Sequence, residues 1–452
     1  MSSAKTDVVV FGATGFTGRL TTRYLSKHPQ FQKGLFSIAI AARSQSKLHS
    51  LIQELELPPS IGTLQLDVTD YQSVEAAVKS ARVVINTVGP YWTWGTPVVK
   101  ACATHGVHYV DLTGEGVWIR DIINKFDYLA TKTGAVIVNS CGYDSVPSDA
   151  SAFLSNKTLK AHGAYDVGSS VTAHRVRGGF SGGTVSTMIT SLENVPSEKL
   201  RETIDYSLSP VKGPALPRFQ FSYTQSIPGE RSVFGGFFFM QPTNRKLVQR
   251  TFGLLELQAQ NAETPGSSAN VQTARRERYG PAFAYDEFLV MPSRLSSIIF
   301  STTFAIGIGL LALVAPIRWL FKKFAPKPGT GPTDEAMNKG FFVATNHTIS
   351  TSTPPVHVKS VIKGDRDPGY ALTAIMIAES ALSLVLPPVS ANPTAKSASL
   401  PEGLPALARK GGVLTPMSAL GDVLLTRLVD TGHFSIESYV VGEGSAETRK
   451  DV

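Results

Sequence analysis

Val8–Leu20 reads VVVFGATGFTGRL, and the order of its parts decides the fold. Val8, Val9, Val10 and Phe11 make a short apolar run of the kind that forms a buried parallel strand. The loop GATGFTG follows at once, and RLTTRYLSKH after it has helical character. Strand, glycine loop and helix in that order make a dinucleotide-binding turn: Gly12, Gly15 and Gly18 let the chain turn tightly, let a phosphate approach, and let helix pack on strand. The helix start then offers free N–H groups to a pyrophosphate. Working outward, FSIAIAAR (36–43), TLQLDV (63–68), ARVVINTVGP (81–90) and GAVIVNSCG (134–142) are further strand candidates, separated by helical stretches such as QSKLHSLIQEL (45–55) and DYQSVEAAVKSA (70–81). Alternating βα units predict an α/β fold with a doubly wound parallel sheet.

The same loops predict a cofactor site. The second strand ends in Arg43, where a site for NAD commonly carries an acidic group for the ribose 2′-hydroxyl. A guanidinium there suits a 2′-phosphate, with Ser44 and Lys47 adding contacts, so the expected cofactor is NADPH. The plainer alternative is a solvated arginine at a strand end. Asp67 is placed to accept from the adenine amine, or else to cap the next helix. Ligands of open α/β sheets lie beyond the carboxyl ends of the strands, so Thr87, Gly89, Pro90 and Tyr91 should border the nicotinamide.

Two polar loops could hold chemistry. YVDLTGEG (109–116) carries Asp111, Thr113 and Glu115, and CGYDSVPSD (141–149) carries Tyr143, Asp144, Ser145 and Asp149. Loops at strand ends present proton donors from a rigid sheet, although the same residues also build turns and caps. Tyr91, Glu115, Tyr143 and Asp144 are the candidates for protonating or orienting a substrate. Tyr91, with Trp92 and Trp94, equally suits apolar packing. Cys102 and Cys141 are the only cysteines; neither disulfide nor zinc spacing results, and Cys141 is read as a buried structural thiol. The nine histidines form no ligand motif, so no metal is expected.

A chain of 452 residues exceeds one ordinary core, which predicts two joined domains. Only 17% of residues are charged and the mean hydropathy lies just above zero, consistent with a greasy substrate or surface. The net charge of +8 is scattered, without an aromatic-rich basic motif. That argues against nucleic acid and for cofactor phosphates or an anionic lipid surface. The strand-like run begins within about seven residues of Met1, which leaves no room for a leader and predicts a cytosolic, non-secreted protein.

Taken together, GATGFTGRL, AARSQSKL, NTVGPY, CGYDSVPSD, SGGT, MQPTNRKLVQRT, RYGPAFAY, DPGYALTAIMIAESAL and GGVLTPMSALGDVL resemble the saccharopine dehydrogenase-like oxidoreductases, a family that includes the trans-acting enoyl reductases. The resemblance spans most of the chain and implies a Rossmann domain, an α+β domain with a mixed sheet, and a final helix packing back. It carries a cofactor role onto Gly12, Ala13, Thr14, Gly15, Phe16, Thr17, Gly18 and Arg43, and makes Gly89 and Pro90 neighbours of the nicotinamide. It supplies no secure catalytic acid. Residues 254–345 depart from the pattern.

The expected organisation is therefore a nucleotide-binding domain over 1–150, an α+β substrate or dimerisation domain over 151–294 and 325–452, and a hydrophobic segment over 295–324. DVGSSVTAHRV (166–176) and VHVKSVIKG (356–364) read as strands, SGGTVSTMITSLENV (181–195) as a glycine turn feeding a helix, and 202–235 as mostly loop. Leu295 to Ile317 carries no charge and is followed by Arg318, Lys322 and Lys323. As one helix it would reach about 34 Å, enough for a bilayer. A single span would separate later helices from the domain they complete, so the leading expectations are a helix or hairpin lying in one leaflet or on a lipid-droplet monolayer, and a helix buried in the protein or a homodimer interface, with a true span as the third alternative. Functionally, the sequence predicts an NADPH-dependent reductase of a C=C bond, or a related C=O or C=N bond, in a hydrophobic lipid or polyketide-like substrate, working at the cytoplasmic face of a membrane. A non-catalytic NADP(H)-binding membrane protein and a saccharopine-type amino-acid dehydrogenase are the alternatives.

Overall fold

The computed structural model describes residues 5–179, 189–190, 193–216, 219–264, 270–324, 329–388 and 399–442. The opening run forms β1 (Thr6–Phe11), and Val8 to Phe11 are fully buried. Around it lie β2 (Ile38–Ala42), β3 (Gly62–Gln65), β4 (Ala81–Asn86), β5 (His108–Asp111) and β6 (Val136–Val138). With β13 (Gly412–Leu414) they form one seven-stranded sheet in the order β13-β6-β5-β4-β1-β2-β3. Every neighbouring pair in it is parallel. The predicted doubly wound sheet is thus present, and the order turns about β1 and β4, where the glycine loop emerges.

The strand β13 comes from the distant GGVLTPMSAL motif, inside the stretch assigned on the sequence to the second domain. It covers the outer edge of β6, which is only three residues long. The two parts of the chain therefore interlock rather than dividing cleanly near residue 150.

The second sheet is mixed: β14-β12-β11-β7-β10-β9-β8. Its members are β7 (Val167–Arg177), β8 (Tyr223–Gln225), β9 (Val233–Gly236), β10 (Ala284–Met291), β11 (Phe341–Ser350), β12 (His357–Gly364) and β14 (Phe434–Val440). Two short strands thus occur within the 202–235 stretch read as loop. The helix Val146–Gly163 lies over this sheet on a polar seam, where Ser155 donates to Asn346 at 2.8 Å and Thr158 meets Ser438 at 2.6 Å. The glycine turn SGGT at 181–184 lies outside the described residues.

The C-terminal helices pack back on the first domain, as the family resemblance implies. Helix Thr373–Ser383 is buried along its whole length against helix Phe16–Ser26. Glu379 accepts there from Tyr24, from His28 at 3.1 Å and from Arg427 at 2.6 Å. Arg427 also donates to Gln30 at 2.9 Å, so one buried ionic knot ties the nucleotide domain to the chain's last third.

The hydrophobic stretch forms two helices, Arg294–Leu313 and Ala315–Phe324, broken at Val314. A capping box at Ser293 starts the first. Of that helix only Ser297 and Ser301 are buried, Ser301 accepting from the Phe237 N–H at 2.9 Å. Leu295, Ile299, Ile306, Leu313, Trp319 and Phe324 stand exposed. Among the described residues, then, the expectation of a buried core helix is not met: too few partners face it.

Candidate functional site

The loops after β1 to β6 gather at the carboxyl edge of the parallel sheet. Gly12 adopts φ +78°, and a Cβ at Gly18 would sit 2.2 Å from the Gly12 carbonyl oxygen. Only glycine permits this approach of helix to strand. Thr87 at the end of β4 braces the turn by donating to the Phe11 carbonyl at 2.8 Å. Ala13 is buried beneath the loop, while Thr14, Gly15 and Thr17 remain partly open at the helix start. Phe16 turns away, packing edge-on against Tyr370 at 5.2 Å. The cradle fits a pyrophosphate: small residues, a helix N-terminus and no acidic group in its first turn.

Arg43 stands exposed just beyond β2, and among the described residues its guanidinium makes no hydrogen bond. Ser44 caps the next helix by accepting from the Lys47 N–H at 3.3 Å, leaving the Lys47 ammonium on the surface beside Arg43. Asp67 closes its own turn: Oδ1 accepts from the Thr69 N–H at 2.9 Å and hydroxyl at 2.8 Å. These bonds, helped by Arg43, hold its carboxyl below the usual range. Gly89 and Pro90 lead directly into helix Tyr91–His105. The predicted cofactor residues thus line one edge, from Arg43 at one end to Pro90 at the other.

The four proton-donor candidates divide into two pairs. Glu115 accepts from the Tyr91 and Trp92 N–H groups, each at 2.7 Å, and so caps helix Tyr91–His105 from 24 residues away. Burial raises its carboxyl, and the two amides work against that rise. Tyr91 donates to the Asn86 carbonyl at 2.9 Å and accepts from the Leu112 N–H at 3.2 Å. Both groups are engaged in scaffold hydrogen bonds. Asp111 likewise fastens the loops after β5 and β6, accepting from Thr113, Asn139 and Ser140. Asp149 accepts from Thr251 at 2.6 Å and from the Met417 N–H at 2.9 Å, holding the segment after β13. Cys141 is buried, and burial pushes its thiol up, as befits a structural role.

Tyr143 and Asp144 lie elsewhere, where the first sheet's edge meets the second sheet. Tyr143 is 6% exposed, its ring 5.0 Å from Phe342 and its hydroxyl 3.4 Å from His174 Nδ1. Asp144 is half-buried and, among the described residues, has no hydrogen-bond partner. Burial, then Glu287, pushes its carboxyl up to about 6. Behind Tyr143, His174 Nε2 lies 3.2 Å from Glu287, which also accepts from Ser148 at 2.6 Å, Tyr285 at 2.8 Å and Asn244 at 2.8 Å.

Sequence reasoning missed His174, Glu287, Ser148 and Asn244. One signal was available: the acidic pair Asp286 and Glu287 interrupts a largely apolar strand in AYDEFLVM. A fully buried acid must find partners, and so marks a polar centre.

Comparison with known proteins gives four findings. The family model described as the saccharopine dehydrogenase NADP-binding domain matches residues 8–162. A Mycobacterium tuberculosis protein named as a candidate trans-acting enoyl reductase is 32% identical over 445 residues, covering 94% of this chain and 96% of that one. The trans-acting enoyl reductase of Mycobacterium ulcerans is 30% identical, covering 96% and 98%. Among solved structures, apo saccharopine dehydrogenase (L-Glu forming) from Saccharomyces cerevisiae superposes over 97% of this chain and all of its own, with a TM-score of 0.50 at 13% identity. That likeness is one of fold.

Proposed function

The chain belongs to the saccharopine dehydrogenase-like family of NADP(H)-dependent oxidoreductases that includes the trans-acting enoyl reductases, and from that premise we propose that it reduces an enoyl C=C bond in an apolar acyl substrate. NADPH, when bound, supplies hydride. The glycine loop would hold its pyrophosphate and Arg43 its 2′-phosphate, while Gly89 and Pro90 border the reacting edge. Tyr143 and Asp144 are the two candidates left to deliver the accompanying proton.

The observation that carries the apolar substrate is the run Phe237–Phe239. Phe237 lies 5.5 Å from Phe304 of the exposed helix, and Phe238 stacks on His174 at 4.7 Å. Phe239 is 41% exposed. Three consecutive residues thus join an open apolar surface to the polar centre, a path suited to an acyl chain. An amino-acid substrate would need free arginines for its carboxylates. The buried Arg245, Arg250 and Arg427 are already bonded to Asp205, to the Leu208 and Val413 carbonyls, and to Glu379.

Purified protein should quench or enhance NADPH fluorescence on binding, then oxidise NADPH when given a trans-2-dodecenoyl thioester. NADPH binding without any oxidation across short and long enoyl thioesters would favour the non-catalytic alternative.

The hairpin of helices Arg294–Leu313 and Ala315–Phe324 is proposed to rest on an anionic phospholipid surface. The strand β11, after the hairpin, pairs with β7, before it, so both flanks stay on one side of any bilayer. Trp319, Lys322 and Lys323 follow the apolar helix, with Lys323 5.6 Å from the Trp319 ring centroid. That mixture of aromatic and basic groups suits a headgroup boundary. The protein should float with vesicles of phosphatidylcholine and phosphatidylserine, and less with phosphatidylcholine alone. Ile306→Asp with Leu310→Asp should abolish flotation and leave NADPH binding intact; undiminished flotation would remove the hairpin from the interface.

A further inference from the structure

A double bond that accepts hydride at one carbon must take a proton at the other, and the source of that proton is the open question of the site. The carboxyl edge offers Tyr143 and Asp144. What stands behind each differs. Asp144 has no hydrogen-bond partner among the described residues, so none of them is poised to restore its proton. Tyr143 has a chain of groups behind it: hydroxyl to His174 Nδ1 at 3.4 Å, His174 Nε2 to Glu287 Oε2 at 3.2 Å.

Three further features point to a relay rather than a packing accident. Glu287 is fully buried, and Ser148, Tyr285 and Asn244 all donate to it. Oε2, which accepts from Ser148 and Tyr285, is the oxygen that faces the imidazole, while Oε1 accepts from Asn244. His174 is held on its ring face by Phe238, with Nδ1 toward Tyr143 and Nε2 toward Glu287. The elements come from distant parts of the chain: β7 carries His174, β10 carries Glu287, and the loop after β6 carries Tyr143. Although burial opposes charge on Glu287, His174 and the hydroxyls beside it outweigh this and keep the carboxyl below its ordinary value. Glu287 Oε2 is thus an acceptor for the Nε2–H of His174.

We propose that Tyr143 is the proton donor of the reduction and that His174 and Glu287 are positioning residues that restore its proton; this rests on the reductase reading above. In this relay the His174 Nε2–H donates to Glu287 and a proton on Nδ1 is offered to the phenol oxygen, leaving the phenol O–H to face the substrate. As hydride reaches one carbon, the other gains the Tyr143 proton and the phenol becomes phenolate. The phenolate then takes the Nδ1 proton, leaving a neutral imidazole and an ionised Glu287. Solvent returns the last proton between turnovers. The charged and titratable groups around the relay are Asp144 beside Tyr143, Tyr285 and Asp286 flanking Glu287 on β10, and Arg245, which faces Asp286.

The test uses the full chain, NADPH and trans-2-dodecenoyl N-acetylcysteamine thioester. Tyr143→Phe should lower kcat by about 10²- to 10⁴-fold, the usual worth of a positioned acid, with NADPH affinity unchanged as evidence of an intact fold. Glu287→Gln removes the carboxylate that faces Nε2, so kcat should fall while KM and NADPH affinity hold; Glu287→Asp should restore part of that loss. A purely structural Glu287 would change stability without a kcat-selective loss that Asp rescues. If Tyr143→Phe turns over like the unaltered protein, or if the loss falls on Asp144→Asn instead, the relay is overturned. If the unaltered protein binds NADPH and reduces no enoyl thioester, the reductase reading fails and the relay's role with it.

Discussion

Glu379→Ala is expected to cost about 3–5 kcal/mol of stability, because it strands a buried arginine without its counter-charge. Arg427 is 1% exposed, and its partner carboxylate sits 2.6 Å from Nε. Removing one member of such a pair leaves the full desolvation cost of the other. Replacing both, as Glu379→Met with Arg427→Met, should recover much of the loss, since apolar groups of similar volume need no counter-charge. Chemical denaturation of the three proteins measures this directly; a double variant as weak as the single one would show that the charge is not the cause. The knot should also leave a pH signature. Burial alone would raise the Glu379 carboxyl, but Arg427, His28 and Tyr24 overcome it and bring it down to about 2. A carboxyl depressed on folding stabilises the native state above its unfolded value near 4.5, and that share is lost as pH falls toward 2. Glu379→Gln should therefore flatten the acid limb of stability, and an unchanged limb would assign it to other groups.

The location of this knot also shows where sequence reading succeeds. The strands β1, β2 and β4 are legible because they are almost wholly apolar and buried on both faces, so the run itself announces them. The strand β11 is not, because FFVATNHTIS buries Asn346 and Thr348 against Ser155 and Ser170, and a polar seam erases the alternation. The strand β13 is three residues long and owes its existence to the open edge of β6 nearly 300 residues earlier. No local pattern encodes such a partner.

The site divides along the same line. The glycine loop works through backbone shape, and glycines at fixed spacing are visible in the text of the sequence. Glu115 looks like a catalytic acid in its loop, but the two amides that claim it belong to a helix 24 residues away. His174 and Glu287 are 113 residues apart and meet only because β7 and β10 pair in parallel. Chemistry made by tertiary pairing is legible only after the sheet is known.

Arg43→Ala is expected to raise the Kd for NADPH by about 10- to 100-fold, the usual range for losing charge-assisted hydrogen bonds to a phosphate, and to leave NADH binding nearly as it was. The physical basis is that the two cofactors differ only at the ribose 2′ position, and Arg43 stands at the strand end that faces it. The guanidinium has no described bond to lose on truncation, so the fold should not change with it. Because the group is exposed, its attraction is open to counterions, and the preference for NADPH should narrow as salt rises. Ser44 and Lys47 would keep a residual preference, since Lys47 retains a positive charge on the first turn of the same helix. Arg43→Glu goes further: a carboxylate repels the 2′-phosphate and can accept from a 2′-hydroxyl, so NADH should then bind more tightly than NADPH. Fluorescence titration of both cofactors at low and high salt reads all of these outcomes. Equal losses for NADPH and NADH would mean that Arg43 supports the loop rather than the phosphate, and the preference would have to arise at Lys47.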